Sequence, residues 1–150
     1  MYPSSAIDPL LAKLDVRVGT DIQAIEEIER SVRLHGSRYL SRLFTRHEVD
    51  SCGGPTAPAE ILAPGLTARF AAKEATLKVL RPTDRVPGWR DIEIERQPGG
   101  WCELRLANVA QELAAWDNFL RFSVSISHGF GNAVATVIGM RLLSEVSGDL

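Results

Sequence analysis

Apolar and polar residues alternate through Val16-Arg17-Val18-Gly19-Thr20, which predicts a strand that breaks at Gly19-Thr20-Asp21. The period then lengthens. Ile22, Ile25, Ile28 or Glu29, and Val32 fall on one face of a helix that should end near His35-Gly36, with a second short helix over Ser37 to Phe44. Thr45-Arg46-His47-Glu48 fits a capping box, in which hydroxyl and carboxylate each satisfy an orphan amide. Cys52 to Gly65 is rich in Gly, Pro and Ala and reads as a loop. Beyond Arg81-Pro82 the period returns to two: a strand over Asp91 to Arg96, a tight connection at Gln97–Gly100, and an antiparallel mate over Trp101 to Leu106. Asn108 to Trp116 reads as helix, Phe122 to Ser127 as strand, His128 to Asn132 as turn and Ala133 to Met140 as a closing strand. A strand, then helices, then hairpins predicts an α+β fold, with helices packed against an antiparallel sheet.

One predicted helix breaks its own pattern. Between Leu66 and Leu80, the residues Leu66, Phe70, Leu77 and Leu80 fall within roughly an 80° arc at about 100° per residue. Lys73 projects into that apolar arc and Glu74 sits on its edge. Taking a charge out of water costs several kcal/mol per ion even after relaxation. The pair must be satisfied internally, reach a wet cleft, or meet a ligand of opposite charge. Lysine can also snorkel, and Glu74 can pair with Lys78 one turn on. The reading adopted is a helix that lines a site.

Length and composition set limits. A chain of 150 residues is one domain by length and large enough for a core. Met1 to Asp15 reads as an N-terminal extension with a helical turn around Leu10–Leu14, residues 16–141 as the domain and 142–150 as a flexible tail. The net charge of −2 argues against a dedicated nucleic-acid or anionic-membrane binder. Cys52 and Cys102 are a distant pair without metal-like spacing, which suits a reduced interior. With neither a signal-peptide pattern nor an apolar run of about 20 residues, the expected location is the cytoplasm.

Three positions are candidates for one site. Asp21 leaves the first strand at its break, where its alternative role is an N-cap for the next helix. Glu74 is the second carboxylate. Two carboxylates with no nearby His or Cys suit Mg²⁺ better than zinc, and Mg²⁺ fills its octahedron with waters and substrate phosphates. Cations for those phosphates lie on the same helix at Arg69, Lys73 and Lys78. His128 ends a strand and offers a phosphate or ribose contact or a proton-transfer role, or is merely exposed. A serine-hydrolase reading of Ser127-His128 fails, because neighbours on a strand point to opposite faces and no nucleophile elbow surrounds the serine. There is no phosphate-binding loop and no dinucleotide fingerprint.

These residues sit in five ordered segments: Val18-Gly19-Thr20-Asp21-Ile22, Phe44-Thr45-Arg46-His47-Glu48, Arg69-Phe70-Ala71-Ala72-Lys73-Glu74-Ala75, Trp89-Arg90-Asp91-Ile92-Glu93-Ile94 and Val124-Ser125-Ile126-Ser127-His128. Together they make the chain, from about Val16 to Met140, resemble the holo-acyl-carrier-protein synthase group of 4′-phosphopantetheinyl transferases. The resemblance implies transfer of the phosphopantetheine arm of coenzyme A to a serine of an apo acyl carrier protein, with release of adenosine 3′,5′-bisphosphate. It implies Asp21 and Glu74 as Mg²⁺ carboxylates, Lys73 as a phosphate contact, and Arg69, Lys78 and His128 near the coenzyme A phosphates and nucleotide. Glu74 would help take the serine proton. It also implies a homotrimer with sites between subunits.

The chain departs from the family pattern in two places. Arg81-Pro82-Thr83 stands where a Gly-rich turn is usual, and Pro82 has no amide proton to offer a phosphate. On the first helix, basic residues of the family dock the acidic helix of the carrier. Here Glu26 and Glu27 come first, Arg30 and Arg33 follow as the expected docking residues, and Arg38, Arg42 and Arg46 lie beyond. The alternatives are a non-catalytic carrier-binding module of the same fold and a Mg²⁺-dependent pyrophosphatase acting on a small nucleotide.

Overall fold

The computed structural model describes residues 11–143; the expectations for the start of the extension and for residues 144–150 fall outside them. After a 3₁₀ turn at Leu11–Lys13, the order is β1 (Leu14–Ala24), α1 (Ile25–Leu43), α2 (Arg46–Ser51), α3 (Ala59–Leu80), β2 (Ile92–Arg96), β3 (Cys102–Leu106), α4 (Asn108–Trp116), β4 (Phe119–Gly129) and β5 (Asn132–Leu142). The strands form one sheet in the order β1-β5-β4-β3-β2, and every neighbouring pair is antiparallel. The expected α+β class is the observed one.

Helix α3 is the axis of the molecule. Its buried positions run all round it, so both layers of the core are built on it. One side, at Ala71, Ala72, Ala75 and Val79, packs on Ile92, Ile94, Ala135 and Val137 of the sheet. Another, at Leu62 and Leu66, joins Ile28, Val32, Leu40 and Phe44 beneath α1. Small residues on both sides let helix and sheet close up. A Cβ at Gly19 would lie well inside van der Waals contact of the Ala75 carbonyl, and one at Gly139 would overlap Val79 and Phe119.

Two elements differ from their sequence expectation. Strand β1 runs straight through Gly19-Thr20-Asp21 to Ala24, because all eleven of its residues pair with β5. Ile22 therefore belongs to the strand's outer face and not to the core face of the helix. Helix α1, by contrast, is divided as expected: Gly36 takes a non-helical conformation (φ 49°, ψ −131°) at a kink, so the two predicted helices are both present, one on each side of it. Helix α3 begins at Ala59, within the predicted loop. Pro64 gives up one helical hydrogen bond near the start, where few are formed, and burial of Leu62 and Ala63 outweighs the Pro and Gly punctuation. The capping box at Thr45–Glu48 and the boundaries of α4 match their expectations.

The sheet keeps one face bare. Val16, Val18, Thr20 and Ile22 stand in register with Met140, Ile138, Thr136 and Val134 on the side away from α3. The six apolar members of those pairs are all solvent-exposed. Filling the inner face has a predictable cost: Gly139→Ala should destabilise the fold by about 1–3 kcal/mol, the usual penalty of overpacking, read as a lower midpoint in urea unfolding.

Candidate active site between the first strand and the central helix

The alternation of β1 places Arg17, Gly19, Asp21 and Gln23 on the face turned to α3. Because Gly19 admits the backbone of α3 at Ala75, the residues on either side are carried against β1. Lys78 Nζ donates to the Thr20 carbonyl at 2.6 Å and to Asp21 Oδ1 at 3.0 Å. Gln23 Nε2 donates to Asp21 Oδ2 at 2.9 Å, so both oxygens of Asp21 are engaged. The N-cap alternative for Asp21 does not hold, since Ala24 precedes α1 and Asp21 pairs with Ala135 inside the strand.

Glu74 comes to the same cleft. No side-chain hydrogen bond or ion pair engages it among the described residues. Burial, and then the charge of Asp21, holds its carboxyl above the usual carboxylate range, with Lys78 opposing. Two carboxylates close enough to repel, with one lysine beside them, form an oxygen-donor site whose acidic groups outnumber its cation. His128 lies at the same end of the sheet. It pairs with Ala133, which pairs with Gln23, so its backbone is two strand spacings, about 10 Å, from β1. It is exposed.

Arg69 and Lys73 go elsewhere. Around α3, Arg69 and Lys73 form one stripe, Glu74 and Lys78 another, and the two are about 140° apart. Lys73 is 0% exposed. Its ammonium donates to Glu48 Oε2 at 2.8 Å, the Trp89 carbonyl at 2.9 Å and the Ile92 carbonyl at 2.5 Å, which uses all three of its protons. Burial lowers its pKa, and Glu48 opposes that shift. Lys73 thus has no donor left for a phosphate, and the expected phosphate contact does not fit its surroundings. Arg69 is 7% exposed and donates to Gly65 O and Ser51 Oγ. Both residues face α2 and the approach to β2, away from Asp21.

Glu48 is the residue the sequence reading undervalued. Its cap role was visible, but its carboxylate is 0% exposed and has two further partners. Thr45 N and Lys73 Nζ donate to Oε2, and Ile94 N donates to Oε1 at 2.9 Å. The available signal was Lys73 itself, a charge on an apolar arc that required an anion. The expected docking residues are locally neutralised: Arg30 pairs with Glu26 at 3.4 Å, and Arg33 with Glu29 at 2.6 Å and Glu60 at 3.1 Å. Arg38 and Arg42 carry no ion pair among the described residues; with His35 and Tyr39 they line a depression of about 270 Å³. At the end of α3, Arg81 takes the left-handed cap position usually given to glycine, with φ 51°.

Over residues 17–137 the chain matches the family described as ACPS, the 4′-phosphopantetheinyl transferase superfamily. It is 38% identical over 130 residues to the holo-[acyl-carrier-protein] synthase of Moorella thermoacetica, spanning 87% of this chain and 98% of that protein. The holo-[acyl-carrier-protein] synthase of Geobacter metallireducens is 39% identical over 121 residues, 80% of this chain and 93% of the relative. Among solved structures, the Helicobacter pylori holo-[acyl-carrier-protein] synthase in complex with coenzyme A superposes with a TM-score of 0.69 at 27% identity, covering 82% of this chain and 99% of that one. No described helix is long and apolar enough to cross a membrane.

The raised Glu74 carboxyl has a consequence for stability. A carboxyl with its folded pKa above its unfolded value favours folding at low pH and loses that advantage as pH rises through the folded value. At neutral pH the charged Glu74 is therefore a net cost, and Glu74→Gln should raise Tm there. The difference should vanish in acid, where both side chains are neutral; calorimetry across pH measures it.

Proposed function

Because the chain belongs to the 4′-phosphopantetheinyl transferase superfamily, in its holo-acyl-carrier-protein synthase group, we propose that the Asp21–Glu74–Lys78 cleft transfers the phosphopantetheine arm of coenzyme A to an acyl carrier protein with the help of Mg²⁺. What supports the reading is the pair of carboxylates from β1 and α3 at one cleft: Glu74 has no internal partner, and its carboxyl is raised first by burial and then by the charge of Asp21. The donor set fits Mg²⁺. It offers two hard oxygen donors, Asp21 and Glu74, and Mg²⁺ usually takes one or two carboxylates, with waters and substrate phosphates as its other ligands. When bound, the ion supplies charge neutralisation to the diphosphate.

The chain's own residues supply the rest. Asp21, gripped by Gln23 and Lys78, is a fixed ligand. Lys78, held beside it by the Thr20 carbonyl and half exposed, reaches a phosphate where Lys73 does not. Glu74, the carboxylate left without an internal partner, suits the removal of a proton from the carrier serine. The serine oxygen then forms a bond to phosphorus as the diphosphate P–O bond breaks, and adenosine 3′,5′-bisphosphate leaves. Such a displacement needs alignment and charge compensation more than covalent help. His128, exposed at the same end of the sheet, would meet the nucleotide end of coenzyme A, as the family resemblance implies. Arg69 acts at a distance from this cleft, through its packing under α2.

Carrier docking belongs on the second half of α1. Arg38 and Arg42, free of internal acids, offer an acidic helix more than Arg30 and Arg33, which Glu26, Glu29 and Glu60 already screen. The bare sheet face suits association with further copies of the chain, and the family resemblance makes the expected assembly a trimer. Its apolar cross-strand pairs, Val16–Met140, Val18–Ile138 and Ile22–Val134, adjoin the end of β1 that carries Asp21, so neighbouring subunits would border the site. A cytoplasmic location follows from carrier and coenzyme A as substrates.

Incubation with coenzyme A, Mg²⁺ and an apo carrier should add the mass of one phosphopantetheine arm to the carrier. Asp21→Ala and Glu74→Ala should each reduce that rate at least about a hundredfold while the protein stays folded; near-normal turnover in either would refute the metal assignment. Val18→Glu with Ile138→Glu should sediment as a monomer with little activity, and an active monomer would end the shared-site reading.

A further inference from the structure

We propose that the buried Glu48–Lys73 pair is a positioning device for the reaction, fixing the rotation of α3 so that Glu74 faces Asp21. The inference rests on the metal reading of the Asp21–Glu74 cleft. Lys73 immediately precedes Glu74, and every polar atom of the pair is committed. The Lys73 ammonium binds Glu48 of α2 and the carbonyls of Trp89 and Ile92, where the chain enters β2, and it lies 5.6 Å from the centroid of the Phe44 ring. Glu48 answers with Thr45 N at the start of α2 and Ile94 N within β2. Thr45 Oγ1 in turn donates to Glu93 Oε2 at 2.5 Å. One ion pair thereby ties α2, α3 and the β2 end of the sheet together.

A stabilising role alone does not account for this arrangement. A buried ion pair pays desolvation on both ions, and apolar residues of similar volume in its place are often neutral or stabilising. What the pair provides and an apolar pair does not is direction: three hydrogen bonds to fixed acceptors define the angle of Lys73 around the helix axis. Glu74 then sits between two anchors. Lys73 holds the helix toward β2, and the Ala75 backbone rests against Gly19 of β1. With side-chain ends about 6 Å from the axis, a 10° turn of α3 would move the Glu74 carboxylate by about 1 Å. Functional constellations tolerate about 0.5 Å.

The test uses Glu48→Leu/Lys73→Met, which replaces the pair by apolar residues of similar length. Binding of Mn²⁺, standing in for Mg²⁺, is measured by electron paramagnetic resonance with coenzyme A present, beside Tm and steady-state kinetics. The expected result is a Tm at or above wild type, Mn²⁺ affinity weakened about tenfold, the Mg²⁺ half-saturation raised by a similar factor, and KM for the carrier unchanged. A folded double variant with wild-type Mn²⁺ affinity overturns the proposal. Should that variant fail to fold, Glu48→Gln, which keeps the shape and removes the charge, replaces it under the same criterion. Asp21→Ala separates the two readings. If it binds Mn²⁺ as wild type does, the metal site and this inference fall together; if it loses Mn²⁺ while the double variant keeps it, only the positioning role falls.

Discussion

The close approach of α3 to β1 at Gly19 is the constraint on which the molecule depends. A strand and a helix normally keep side chains between them, and here a backbone carbonyl at Ala75 occupies the place of a missing Cβ. That contact brings Lys78 within hydrogen-bonding reach of a β1 carbonyl and of Asp21. It also brings Glu74 near enough to Asp21 for the two charges to oppose each other. An alanine or valine at position 19 would suit the strand better and would dismantle the cleft.

Helix α3 resolves its charges in two ways. Arg69 and Lys73 are enclosed, and Lys73 is neutralised by Glu48 with each of its donors used. Glu74 and Lys78 are left at the cleft, where Glu74 has no internal partner. The first arrangement is what a fold does with a charge it must bury. The second leaves Glu74 facing the like charge of Asp21 at a cost to stability, a pattern common at functional sites. Adjacent residues of a single motif, Lys73-Glu74, thus serve opposite ends: one closes the interior and the other opens the site.

Much of this was legible in the chain. The odd placement of Lys73 on an apolar arc announced that α3 had to meet polar partners from other elements, and the two carboxylates singled out together, Asp21 and Glu74, do come to one cleft. Period-two runs located the hairpins, and the cap pattern at Thr45–Glu48 appears as expected. What was not legible depended on contacts distant in sequence. Lys73 finds Glu48 from 25 residues away, so its sequence could announce a missing anion without naming it. Strand β1 runs past its Gly-Thr-Asp break because β5, over a hundred residues on, pairs with all of it. At Ala59–Gly65, local Pro and Gly preferences lost to burial of Leu62 and Ala63. Among the three expected cations of the site, only tertiary packing could separate Lys78, at the cleft, from Arg69 and Lys73, behind it.

The bare outer face of the sheet bears on the same question. In β1 one alternation serves two purposes: inward residues build the cleft, and outward residues carry Val16, Val18 and Ile22 to solvent. A one-residue slip in the β1–β5 register would exchange the two sets, turning Asp21 out and Ile22 in. The Thr20–Thr136 hydroxyl contact at 3.1 Å, flanked by apolar cross-strand pairs, marks the register from the outer side. Covering that face with neighbouring subunits would therefore do more than bury apolar area. It would hold β1 in the register that presents Asp21, so assembly and metal binding would be coupled through a single strand.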